Sequence, residues 1–184
     1  MLHGVKALRG SAIAAQDERF GFVVDLYFDD RTWSLRYVVL DTGRPMPQRS
    51  VLLEPAAIAA IAPGGTLSVR LTRKQIEKKP DWLAARPVYL QHAMTPTGHP
   101  GDGHLRSCGI VLDCVVQARN GLLGHVADLL LDDESWTLSR LVVDTGHWLP
   151  GRRVSVPARS VEEIDWIGHQ VRLGQEREAI IRAA

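Results

Sequence analysis

Two cysteines are all that the 184-residue sequence contains, Cys108 and Cys114, too few for the disulfide framework that staples small secreted domains. They are read as reduced thiols. No secretion signal is recognisable, because Lys6 and Arg9 are followed by Gln16, Asp17, Glu18 and Arg19 instead of an apolar stretch, and a cytoplasmic address is the expectation. Long apolar runs are lacking too. The longest, such as residues 56–62, fall far short of the roughly 18 to 20 residues a spanning helix needs, so no transmembrane segment is expected. Neither charge sign dominates: 22 Lys and Arg against 21 Asp and Glu leave a net charge of +1. That balance removes the global field behind non-specific nucleic-acid binding, and no nucleic-acid partner is expected. What is present, 45% hydrophobic and 23% charged residues, is the composition of a folding globular chain.

The chain repeats itself. Residues 21–47 align without a gap on residues 124–150, 103 positions later, with about half of the positions identical. Matched pairs include Asp25 with Asp128, Asp29 and Asp30 with Asp132 and Asp133, Trp33 with Trp136, and the tripeptide Asp41, Thr42, Gly43 with Asp144, Thr145, Gly146. Further on, an offset of 102 brings Pro55 onto Pro157 and Val69, Arg70, Leu71 onto Val171, Arg172, Leu173. A duplicated module follows, with one copy in 1–80, a Pro- and Gly-rich linker in 81–103 and a second copy in 104–184. The middle of the linker, with Trp82, Leu83, Val88, Tyr89 and Leu90, is apolar enough to pack on a neighbouring module.

Within a copy, β-prone stretches alternate with turn residues. Residues 21–28 and 33–40 read as two strands joined by Asp29, Asp30, Arg31 and Thr32, and in the second strand Trp33, Leu35, Tyr37 and Val39 alternate with Ser34 and Arg36. Residues 50–53 and 66–71 supply further short strands, while 55–61 is ambiguous. Thr72 and Gln75 stand at capping-box spacing ahead of a short helix, and its counterpart follows Gly174, anchored by Ile180 and Ile181. The fold class is mainly β: two small barrels or sandwiches with short terminal helices.

The string from Gly124, His125, Val126, Ala127, Asp128 through Asp132, Asp133 and Trp136 to Asp144, Thr145, Gly146, His147, Trp148, Leu149, Pro150 resembles the PRC-barrel family. That module is shared by the cytoplasmic domain of the photosynthetic reaction-centre H subunit and the ribosome maturation factor RimM. The first copy keeps Gly21, Asp25, Asp29, Asp30, Trp33, Asp41, Thr42 and Gly43 but departs at Pro45, Met46 and Pro47. The resemblance implies two tandem β-barrels of about six strands each, used mainly for protein contacts. No stretch here matches the membrane anchor that precedes the H-subunit barrel.

Candidate chemistry is sparse. Turn aspartates ordinarily cap local N–H groups, and the aspartate pairs are read that way. His99, His104, Cys108 and Cys114 are the one soft-ligand set, but their spacing lacks the close Cys or His pairs of structural zinc sites, so no metal and no cofactor is expected. No nucleophile or phosphate-loop motif is present, and the chain is not expected to be an enzyme. Trp148 and Leu149 sit in a turn with no strand to belong to. They either plug a barrel end or anchor a partner.

The functional expectation is an adaptor or assembly module with a protein partner, in the cytosol or at the cytoplasmic face of a membrane complex of photosynthetic type. A small-ligand or metal sensor using the groove between barrels, or the His/Cys linker, is the alternative. Duplicated modules often recreate the isologous contact of a homodimer inside one chain, so a pseudo-two-fold between the copies, or a homo-oligomer, is expected.

Overall fold

The computed structural model describes residues 1–43, 49–87, 103–146 and 152–183, which is mainly β structure in two seven-stranded sheets. The first half contributes β1 (Leu2–Gly4), α1 (Val5–Leu8), β2 (Ala12–Ala14), β3 (Arg19–Asp29), β4 (Leu35–Asp41), β5 (Ser50–Leu53), β6 (Ile58–Ile61), β7 (Leu67–Val69) and α2 (Arg73–Glu77). The second contributes β8 (Leu105–Ser107), α3 (Cys108–Val111), β9 (Val115–Ala118), β10 (Gly121–Asp132), β11 (Thr137–Asp144), β12 (Arg153–Pro157), β13 (Val161–Asp165), β14 (Gln170–Leu173) and α4 (Arg177–Ala183). Among the described residues no helix is long and apolar enough to cross a membrane.

Each sheet follows the same path, β5-β4-β3-β2-β7-β6 in one and β12-β11-β10-β9-β14-β13 in the other. The six strands expected per module are there, but among the described residues the sheets do not close into barrels: β5 does not pair with β6, nor β12 with β13. A 3-10 turn separates each of these pairs, Pro55–Ala57 in the first half and Ala158–Ser160 in the second. It turns β6 and β13 onto β7 and β14 instead of back onto the preceding strand.

The seventh strand of each sheet comes from the other half. β1 pairs with the end of β10, Leu2 opposite Asp132, and β8 pairs with the end of β3, Leu105 opposite Asp29. Between them the two Trp turns meet: Leu35 donates its N–H to the Trp136 carbonyl and Leu138 to the Trp33 carbonyl, both at 2.8 Å. Every one of these contacts has its mate 103 residues away, so the halves face each other reciprocally, as in an isologous dimer. The hydrophobic core accordingly runs through both halves as one cluster, from Phe28, Leu40 and Leu53 to Leu129, Val143 and Val156. Burying each such side chain is worth about 1.5–3 kcal/mol.

Three local readings are corrected by the ladder. The offset of 103 persists through β6 and β13, and then becomes 104, because Leu67 and Val171 take equivalent places beside Ile13 and Val116. The Val-Arg-Leu match at offset 102 was two residues out of register, a slip that keeps the in/out alternation of a strand and so leaves no trace in hydropathy. Trp33 is not a strand residue but a left-handed turn residue, φ 59°, as is Trp136, φ 53°. The ladder then shifts between Tyr27–Tyr37 and Phe28–Leu35, a bulge at Arg36 that sends Leu35 into the main core and Tyr37 with Val39 to the opposite face. The expected alternation thus belongs to two faces. The Thr72–Gln75 capping box is present, Ile180 anchors α4, and Trp82 packs on the first sheet. Val88, Tyr89 and Leu90 lie outside the described residues.

Candidate functional site: the junction between the halves

The repeated aspartates of β3 and β10 hold the exchanged segments. Asp25 Oδ1 accepts the N–H of Leu26 at 2.8 Å and of Gly109 at 2.9 Å, while Oδ2 accepts the Ser107 hydroxyl. Ser107 Oγ in turn accepts the Ile110 N–H. At the start of α3 the otherwise orphaned Gly109 N–H is thereby satisfied from the other half of the molecule, and the Ile110 N–H by the N-cap Ser107 that Asp25 holds. Burial pushes the Asp25 carboxyl above the ordinary range, against the hydrogen bonds from Ser107, Leu26 and Gly109. Asp128 does the same for α1, accepting from Leu129 at 2.8 Å and Lys6 at 2.9 Å.

A second pair of clasps lies at the outer ends of these strands. Asp30 accepts from Arg106 Nε and pairs with His104 Nδ1 at 2.9 Å. Asp133 accepts from the Met1 ammonium and sits 2.7 Å from His3 Nε2. These hydrogen bonds to the N-terminus and to His3 hold the Asp133 carboxyl below its ordinary value.

The other repeated aspartates serve their own turns. Asp29 Oδ1 takes the N–H of Arg31 at 2.9 Å and of Thr32 at 3.2 Å. Burial alone would raise its pKa, but these bonds and the Arg31 guanidinium hold it low. Asp132 accepts from the Glu134 N–H and the Ser135 hydroxyl, and is held low by both. Asp41 and Asp144 accept the Gly43 and Gly146 N–H at 2.8 and 3.0 Å, and Thr42 and Thr145 donate to the Arg49 and Arg152 carbonyls at 2.9 Å. The Asp-Thr-Gly tripeptide therefore clamps the base of the following loop.

Trp148 and Leu149 lie outside the described residues, as does His99. The remaining soft-ligand residues are dispersed in role. His104 is engaged by Asp30. Cys108 is fully buried in the core, its thiol pushed well up by burial. Cys114, also pushed up by burial, to about 11, donates its thiol to the Ile110 carbonyl at 3.1 Å. Among the described residues no three His, Cys, Asp or Glu side chains are grouped to hold a metal ion.

What the junction does offer is a groove. A cleft of ≈ 550 Å³ is lined by Leu2, Trp33, Leu138, Arg140, Pro157 and Arg159, among others. A second, of ≈ 800 Å³, adjoins it at Thr32, Trp33 and Arg159 and is walled by Arg31, His104, Arg106, Glu162, Glu163, Asp165 and Trp166. The duplication supplies its own control. Against Arg31, Arg106, Arg140 and Arg159 the other half has Glu134, His3, Tyr37 and Ala56, and against Glu162, Glu163 and Asp165 it has Ala59, Ala60 and Ala62. Identities between the copies do not mark these groove residues, because they lie where the copies differ. The signal was in the differences. No family model matches the chain, and no curated protein matches it.

Proposed function

We propose that the chain is a non-catalytic protein-contact module, an adaptor or assembly factor built of two PRC-type modules, which works in the cytosol or at the cytoplasmic face of a membrane complex. The observation that carries this reading is the asymmetry of the junction. The bonds that hold the halves together recur on both sides, whereas Arg31, Arg106, Arg140 and Arg159 have no arginine, and Glu162, Glu163 and Asp165 no carboxylate, at the equivalent positions of the other half. A surface that only held the fold together would have no reason to diverge in this way, while charged rims set partner choice and association rate.

The test is affinity capture with the full chain from native cytosol and membranes, comparing wild type with Arg31→Glu/Arg159→Glu and with Trp148→Ala/Leu149→Ala. A partner held by wild type and lost from either variant is expected; identical capture by all three, or none, would sink the reading. One observation favours the sensor alternative: Arg106 Nη1 is buried beside the groove with no hydrogen-bond partner among the described residues. Native mass spectrometry of the purified chain decides it, since a stoichiometric small molecule would favour the sensor.

A further inference from the structure

The two halves share a face that residues 80–85 cover in the first half and that, among the described residues, no equivalent segment covers in the second. In the first half, Tyr27, Val39, Leu52 and Leu105 form a small cluster on the outer side of the sheet, sealed by Trp82 and Ala85. The covering segment is stitched on through its backbone. Leu52 donates its N–H to the Pro80 carbonyl at 2.9 Å, and Val51 pairs with Asp81 as an antiparallel bridge. Arg49 holds the same segment, donating to the Glu77 and Lys79 carbonyls and lying 3.5 Å from Asp81 Oδ2. Asp81 also accepts the Leu83 N–H, which sets the 3-10 turn Trp82–Ala84.

In the second half the ladder puts Leu130, Val142, Ser155 and Leu2 in the corresponding places, with Arg152 in the place of Arg49. The difference in exposure is large: Leu105 is 2% exposed and Leu2 51%. Arg140 donates to the Ser155 hydroxyl and carbonyl, but among the described residues no backbone group pairs with the outer edge of β12. The register places the Ser155 N–H on that edge, and Arg152 has no ion pair among the described residues. An unpaired edge beside the exposed Leu2 and the half-buried Leu130 and Val142 is a template for an added segment.

We propose that this face docks a peptide segment of a partner protein with the chemistry of residues 80–85: a proline carbonyl for the Ser155 N–H, an acidic side chain for Arg152, and an aromatic ring over Leu2, Leu130 and Val142. The covered half shows the mode of binding, and the charge of Arg152 selects the acid. The proposal deepens the protein-contact reading above by naming the partner's chemistry.

A fluorescein-labelled peptide with the sequence of residues 79–86, titrated onto the full chain, tests it by anisotropy and amide shift mapping. Saturable binding is expected, with shifts at Leu2, Val142 and Ser155, and Arg152→Glu or Val142→Lys weakens it about tenfold or more. Arg49→Glu leaves it unchanged. The proposal is overturned if binding does not saturate at about 1 mM, if a scrambled peptide binds equally, or if only Arg49→Glu abolishes binding, which would mean exchange into the first half. A native partner that is captured but not displaced by the peptide overturns this docking face and leaves the protein-contact reading standing. Peptide binding with no native capture does the reverse.

Discussion

At the scale of single residues, Asp25 and Asp29 make opposite demands on pH. Asp25 binds its proton more tightly folded than unfolded because it is buried, so its contribution is full below the ordinary carboxylate value of about 4 and is lost as pH rises through its raised folded value. Asp25→Asn removes that slope. The stability advantage of wild type over the variant, read as urea midpoints, should be greatest near pH 4 and shrink toward pH 7; a constant gap would contradict the raised carboxyl. Asp29 has the reverse sign: its stabilisation is present above the unfolded value and lost as pH falls through its lowered folded one. For the cysteines, burial predicts that neither Cys108 nor Cys114 reacts with a thiol reagent at pH 7.5 in the native state, and that both react in denaturant. Fast labelling of either in the folded chain would refute the core placement.

At the scale of elements, turns and strand starts decide the register. Gly124 comes so close to the next strand that a Cβ would lie 2.0 Å from the Asp144 carbonyl oxygen, and Gly21, at φ 64°, meets Asp41 in the same way. Gly124→Ala should destabilise the chain by about 2 kcal/mol or more, visible as a lowered thermal midpoint. Trp33 occupies the left-handed region but stacks on Phe28 at a centroid distance of 5.2 Å. Replacing it with glycine relaxes the backbone yet removes the packing, and a net loss of about 3 kcal/mol is expected. The hairpins were legible because Val, Tyr and Leu strands flank an Asp-rich turn. β1, β2 and β6 were not: Leu2–Gly4, Ala12–Ala14 and Ile58–Ile61 are three or four residues of weak β-propensity, and their pairing is set by strands distant in sequence.

At the scale of the whole molecule, reciprocal strand exchange makes the halves one folding unit. Leu105 is buried in the first sheet although it begins the second copy. Leu105→Asp should therefore lower the stability of both halves in a single transition, with tryptophan fluorescence and far-ultraviolet circular dichroism coincident. Two separated transitions, one at the wild-type midpoint, would show that the halves are independent. The candidate site was only partly legible. The alignment displayed Arg31 against Glu134, but it took the ladder to set Glu162 against Ala59, and nothing in the linear order says that Asp30, Arg106 and Trp166 share one groove.

By itself the sequence determined the duplication, the β character and the structural work of the Asp turns, because these depend on local periodicity, backbone chemistry and self-similarity. Only the tertiary structure decided that each half lends a strand to the other and that, among the described residues, the sheets stay open and one outer face is covered by a segment its equivalent lacks. Those outcomes depend on which distant hydrogen-bond partners and apolar surfaces meet. That choice is made by the energy of the assembled core, which no window of neighbouring residues contains.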